Sequence, residues 1–162
     1  MEAIDQIIIR SLRSFLAYIN EKEWFGRENE AVNLYAFGFL QRECSDEGPL
    51  IDPTQIGIEV GAADTPKSSR SQVRKDLVIW PEPGANRWYP ASPRTEPLVI
   101  MEWKVQRPNI RPGKTQGDIA WLVRHCGSSA TIGYSVLLDL RSSPARLTAV
   151  RVTSAGTQDL KV

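Results

Sequence analysis

Two short apolar runs limit what this chain can fold into: Lys75-Asp76-Leu77-Val78-Ile79-Trp80 and Leu98-Val99-Ile100-Met101-Glu102-Trp103-Lys104-Val105. Each is continuous and rich in β-branched and aromatic residues, the pattern of a strand buried on both faces. Such a strand accommodates charge only where the charge has a partner, yet both runs carry it. Alternation along a strand sends Glu102 and Lys104 to one face, roughly 7 Å apart, and Met101, Trp103 and Val105 to the other. With the two strands adjacent, Asp76 faces Glu102. Two carboxylates held close in a poorly solvated place repel one another, and a divalent cation is the usual relief.

The rest of the chain supplies a frame for these strands. Residues 2 to 20 place Ile4, Ile7, Ile8, Leu12, Phe15, Leu16 and Ile19 at helical spacing, with Arg10, Arg13 and Asn20 on the polar side, and predict an amphipathic scaffold helix. A second helix is expected from about Arg27 to Glu43, with Val32, Tyr35, Ala36, Phe39 and Leu40 as its apolar stripe. Glu28 lies one turn before Val32 and projects from the same side, so it either turns towards the strands or is held by the helix N-terminal dipole. Glu30 lies on another side, near Leu34 and Phe37, and is a reserve candidate.

The alternation Ile56, Ile58, Val60 marks a first strand ended by Gly61, followed by a polar, basic and mobile loop from Asp64 to Arg74. Between the two central strands, residues 81 to 97 hold five prolines with Trp88 and Tyr89, an irregular surface excursion. A second basic loop, residues 107 to 114, leads to a helix over about 115–125, capped by Thr115 and stopped by Gly127. Residues 131–140 and 146–153 predict two more strands around Ser142-Ser143-Pro144. The order is helix, helix, three strands, helix, two strands. A strand joined through a helix to the next strand makes a parallel crossover, and loops allow antiparallel neighbours. The fold class is therefore α/β, a mixed central sheet flanked by helices, in one domain covering residues 1–162.

Composition narrows the chemistry. One histidine, His125, excludes a histidine-rich metal site, and Gly127-Ser128-Ser129 beside it reads as a helix stop rather than as part of a catalytic triad. Cys44 and Cys126 suit free thiols in a reducing compartment. A charged share of 24%, no apolar run long enough to cross a bilayer, and a start without signal-peptide character make cytoplasmic residence the expectation. The net charge of +1 requires any basic surface to come from local clusters.

Asp76, Glu102 and Lys104, with an acidic helix upstream, resemble the motifs of the PD-(D/E)xK nuclease superfamily, the restriction-endonuclease-like fold of Holliday-junction resolvases, phage exonucleases and type II restriction enzymes. The resemblance covers roughly residues 26–140. Asp76 matches the aspartate opening the second core strand, Glu102 and Lys104 match (D/E)xK, and Glu28 matches the helix glutamate of many members. Gln116 is a candidate counterpart of the glutamine some members carry in the following helix, with a spacing to Trp121 that departs from the usual pattern. Lys75 departs from the pattern, because the residue before the aspartate is not proline.

The resemblance implies a Mg²⁺- or Mn²⁺-dependent nuclease acting on DNA. Asp76 and Glu102 would hold the ion, joined by the Trp103 carbonyl and by Glu28 directly or through water, while Lys104 orients or deprotonates the attacking water and stabilises developing charge. Without metal, Asp76 and Glu102 are expected to bind protons more readily than usual, with Lys104 offsetting part of this. Lys67, Arg70, Arg74, Arg107, Arg111 and Lys114 are candidate phosphate contacts, and Trp88 and Tyr89 candidate stacking platforms. A homodimer with one site per strand suits a duplex substrate. The alternative reading is a catalytically silent nuclease-fold protein that binds nucleic acid or serves as an assembly subunit.

Overall fold

The N-terminal helical spacing becomes α1 (Ala3–Glu21), which buries Ile4, Ile8, Leu12, Phe15 and Ile19 along one line. In the computed structural model, which describes residues 2–63, 72–85, 95–109 and 115–162, this helix lies with α2 (Glu28–Gly38) over one face of a sheet. The second helix is shorter than its apolar stripe predicts. Gly38 closes it, Phe39 leaves helical angles at φ −132° and ψ −58°, and Leu40–Glu43 forms a separate 3-10 turn. Glycine is a weak helix former, and the break lets Phe39 pack edge-on against Phe15 with centroids 5.5 Å apart.

Among the described residues the sheet contains six strands in sequence order: β1 (Ile56–Ala63), β2 (Gln72–Ile79), β3 (Val99–Gln106), β4 (Ile132–Asp139), β5 (Arg146–Thr153) and β6 (Gly156–Leu160). All neighbours are antiparallel except β3 and β4, which run parallel and are joined through α3 (Thr115–Cys126). The mixed α/β architecture expected of the chain is thus present. Three details differ. Strand β1 continues past Gly61, residues 72–74 belong to β2 rather than to a loop, and β6 was not foreseen, because its Gly-Thr-Gln-Asp-Leu run is exposed and carries no apolar alternation. Residues 64–71 of the expected mobile loop, and Trp88 and Tyr89, lie outside the described residues.

Burial divides into two layers. Residues Met101, Trp103, Tyr134, Val136 and Leu138 face α1 and α2, whereas Val78, Ile100 and Val152 face Leu122 and Cys126 of α3. The first layer is pinned by Asp5, fully buried on α1, which accepts hydrogen bonds from the Tyr134 hydroxyl of β4 and the Arg151 guanidinium of β5. Burial alone would raise its pKa, but the bonds from Tyr134 and Arg151 outweigh that and hold the carboxyl below its ordinary value. Among the described residues no helix is long and apolar enough to cross a membrane.

Helix α3 sits close on β4 because Gly133 has no side chain. A Cβ there would stand 3.0 Å from Leu122 Cδ2 and 3.1 Å from Cys126 Sγ. Gly133→Ala is expected to lower stability by about 1–3 kcal/mol, the usual range for overpacking, read as a reduced denaturant midpoint at unchanged slope. An unchanged midpoint would show that α3 has room to move.

Candidate active site

Strand β3 is fixed from below by Trp103, fully buried and 5.0 Å from Tyr35 and 5.7 Å from Phe15 between ring centroids. Alternation then sends Ile100, Glu102 and Lys104 towards the opposite face, as the sequence predicts. The β2–β3 ladder runs Ile79 to Val99, Val78 to Ile100 and Leu77 to Met101, and ends there. The next pair in register is Asp76 with Glu102. In place of a backbone bond, Asp76 Oδ2 accepts from the Trp103 N–H at 2.7 Å. The aspartate therefore lies against the Glu102–Trp103 peptide, where β2 and β3 part.

Alternation slips just beyond this point. Ile58 and Leu77 belong to the layer under α1 and α2, but Val60, two residues on in β1, packs with the α3 layer. Glu59 between them has φ 52°, a left-handed conformation uncommon for a residue with a side chain. Val60 Cγ2 stands 2.6 Å from where a Cβ of Gly57 would be, so Gly57 is glycine because Val60 has turned to its face. The strand partner of Val60 is Lys75. It turns the same way, and its Nζ reaches Glu102 Oε1 at 2.6 Å and lies 3.0 Å from the centroid of the Trp121 ring on α3. Both partners of this ion pair are almost removed from water, their side chains 3% and 9% exposed.

Lys104 has a different set of neighbours. Its Nζ donates to the Trp103 carbonyl at 2.7 Å and to Glu28 Oε1 at 3.3 Å, and forms an ion pair with Asp118 Oδ2 at 3.4 Å. The Asp118 oxygen is itself buried without a hydrogen bond, so that contact is electrostatic only. Glu28 Oε2 also accepts a long bond, 3.4 Å, from the Val105 N–H. The first turns of α2 and α3 thus converge on the C-terminal half of β3, each bringing an acid. Of the two readings open for Glu28, the side chain takes the one towards the strands. Glu30 instead accepts from the Arg27 N–H at 2.6 Å and caps its own helix. Gln116 is exposed, and Asp118, two residues further along α3, is the residue brought to Lys104.

The site holds four carboxylates, Glu28, Asp76, Glu102 and Asp118, and two ammonium groups, Lys75 and Lys104. Burial pushes Glu102 up to about 7; Lys75 opposes the rise, and Asp76 and Asp118 add to it. Lys75, not Lys104, is therefore the offsetting cation for Glu102. For Lys104, burial acts downward but Glu28, Asp118 and Asp76 outweigh it, so its pKa is raised and it stays charged.

Among the described residues no group of three or more His, Cys, Asp and Glu side chains is arranged to hold a metal ion. The donor set nevertheless suits a hard cation. Asp76 uses Oδ2 on Trp103 and Glu102 uses Oε1 on Lys75, which leaves Asp76 Oδ1 and Glu102 Oε2 outside those bonds. The Trp103 carbonyl and Glu28, the other candidate ligands, both face the Lys104 ammonium. Of the candidate phosphate contacts, Arg74 is exposed and paired with Glu59 at 3.0 Å, and Arg107 is half-buried just after β3. Lys67, Arg70, Arg111 and Lys114 lie outside the described residues. His125 stacks on Trp121 with ring centroids 4.7 Å apart, and Ser129 donates to the His125 carbonyl, consistent with a helix stop. Cys44 and Cys126 are free thiols.

Sequence reasoning missed Lys75 and Asp118. The signal for Lys75 was a charge beside an aspartate in an apolar strand, but simple alternation places it on the wrong face. Asp118 is the first-turn acid of α3, a common position for an acid that carries no signal of a site. No family model, no curated protein and no solved structure matches the chain.

A folded-state value near 7 for Glu102, against 4.5 ordinarily, means the folded protein keeps a proton that the unfolded chain releases across that window. The stabilisation from this proton is complete below the window and disappears as pH rises through it. Glu102→Gln does not titrate, so its melting temperature relative to wild type is expected to rise between pH 5 and pH 8. A difference independent of pH would place the Glu102 titration elsewhere.

Proposed function

We propose that this chain is a metal-dependent nuclease of the restriction-endonuclease-like kind, hydrolysing DNA phosphodiester bonds. The observation that carries the reading is the Asp76 carboxylate on the Trp103 N–H, next to Glu102, where the β2–β3 ladder ends, with Lys104 further along the same strand. Four acids against two ammonium groups leave two negative charges, which one divalent cation neutralises. An ion held there would supply activated water and charge neutralisation on the scissile phosphate.

The protein's own groups have separable roles. Asp76 and Glu102 would hold the ion, and the bond from the Trp103 N–H orients the Asp76 carboxylate. Lys104, kept cationic by its acidic neighbours, is suited to orienting the water and stabilising charge on the phosphate rather than to removing a proton. Glu28 and Asp118 aim its ammonium. Arg74 and Arg107 are the described residues on which DNA phosphates would dock, and a cytoplasmic homodimer belongs to the same reading.

With linear, circular and branched DNA and Mg²⁺ or Mn²⁺, wild type is expected to cut, and Asp76→Ala and Lys104→Ala to fall by about 10²-fold or more. Equal product from Asp76→Ala and wild type would reject the assignment. The buried Lys75–Glu102 pair favours one second reading, a silent nuclease-fold subunit whose acid is permanently neutralised. That protein would show no Mg²⁺-dependent rise in melting temperature, whereas the nuclease is expected to show one.

A further inference from the structure

The Lys75 ammonium is enclosed on the sheet side by Glu102 Oε1 at 2.6 Å and on the helix side by the Trp121 ring at 3.0 Å. Its side chain is only 3% exposed, so leaving Glu102 would strand a charge in a dry place with an indole face as its neighbour. The ammonium is thus a fixed part of the site, delivered by the turn of β1 and β2 at Glu59. Resting on the metal-dependent reading above, we propose that Lys75 is a built-in cation that reserves Glu102 Oε1, so that Glu102 offers a single oxygen and the site accepts one divalent ion instead of two.

Charge and geometry agree on this. With Lys75 in place, the surplus of two negative charges matches one divalent ion, and a second would leave the site positive. With its charge removed, the surplus becomes three, so one ion leaves a negative charge and a second overshoots by one positive charge instead of two, and Glu102 Oε1 is released from the ion pair. Lys75 acts through Glu102 and is a positioning residue.

The test is Mg²⁺ titration by calorimetry at pH 8 on wild type and Lys75→Met, a substitution that keeps an unbranched chain against Trp121. Wild type is expected to bind one ion per chain. Lys75→Met is expected to bind at least tenfold more tightly or to take a second ion. Should that variant fail to fold, Lys75→Gln removes the charge while keeping a donor for Oε1, with tighter binding again expected. Two ions per wild-type chain, or unchanged affinity and stoichiometry in the variants, would overturn the role of Lys75 while leaving the metal-dependent reading intact. Heat absent from wild type and variants alike would overturn both.

Discussion

Everything around the candidate site is arranged by a shortage of positive charge at the C-terminal half of β3. Glu102 is carried into a dry position because Trp103, its neighbour, is needed in the aromatic cluster beneath. A carboxylate there must be protonated or paired. The protein does some of each: Lys75 is brought to Oε1, and burial, with smaller contributions from Asp76 and Asp118, still lifts the Glu102 pKa to about 7. Buried ion pairs of this kind contribute little net stability, because desolvating both charges consumes most of their attraction. The Lys75–Glu102 pair is therefore weak evidence for how the fold is stabilised.

The backbone around the pair shows the same logic. Ending the β2–β3 ladder at Leu77 frees the Trp103 N–H, and Asp76 takes it with a side-chain oxygen. The positive φ of Glu59 costs of order 1–3 kcal/mol, yet without that turn Lys75 would point into the apolar layer under α1 and α2. Strain, a broken ladder and a buried charge lie within a few residues of each other. Such clustering is characteristic of sites where positioning outranks stability.

Much of this was readable in the amino-acid order, for physical reasons that differ by element. Continuous β-branched runs identified β2 and β3, helical spacing identified α1, the Thr115 cap and Gly127 stop marked α3, and the parallel step from β3 to β4 followed from the helix between them. Glu102 and Lys104 were placed on one face by alternation alone. What alternation could not convey was its own interruption: nothing at Glu59 announces a left-handed residue, so the turn of Lys75 towards Glu102 is not legible in the order of residues. Strand β6 was hidden because an exposed edge strand needs no apolar pattern, and the end of α2 because tertiary packing of Phe39 against Phe15 decides it. Asp118 depends on where α3 docks, which Gly133 permits but does not advertise.

The idea that the acids at the end of β3 form a cation site is tested most directly by anomalous diffraction from crystals of the full chain soaked in Mn²⁺. One peak is predicted between Asp76 Oδ1 and Glu102 Oε2, within coordination distance of both and with Lys75 still on Oε1. No peak, or a peak contacting neither carboxylate, would contradict it.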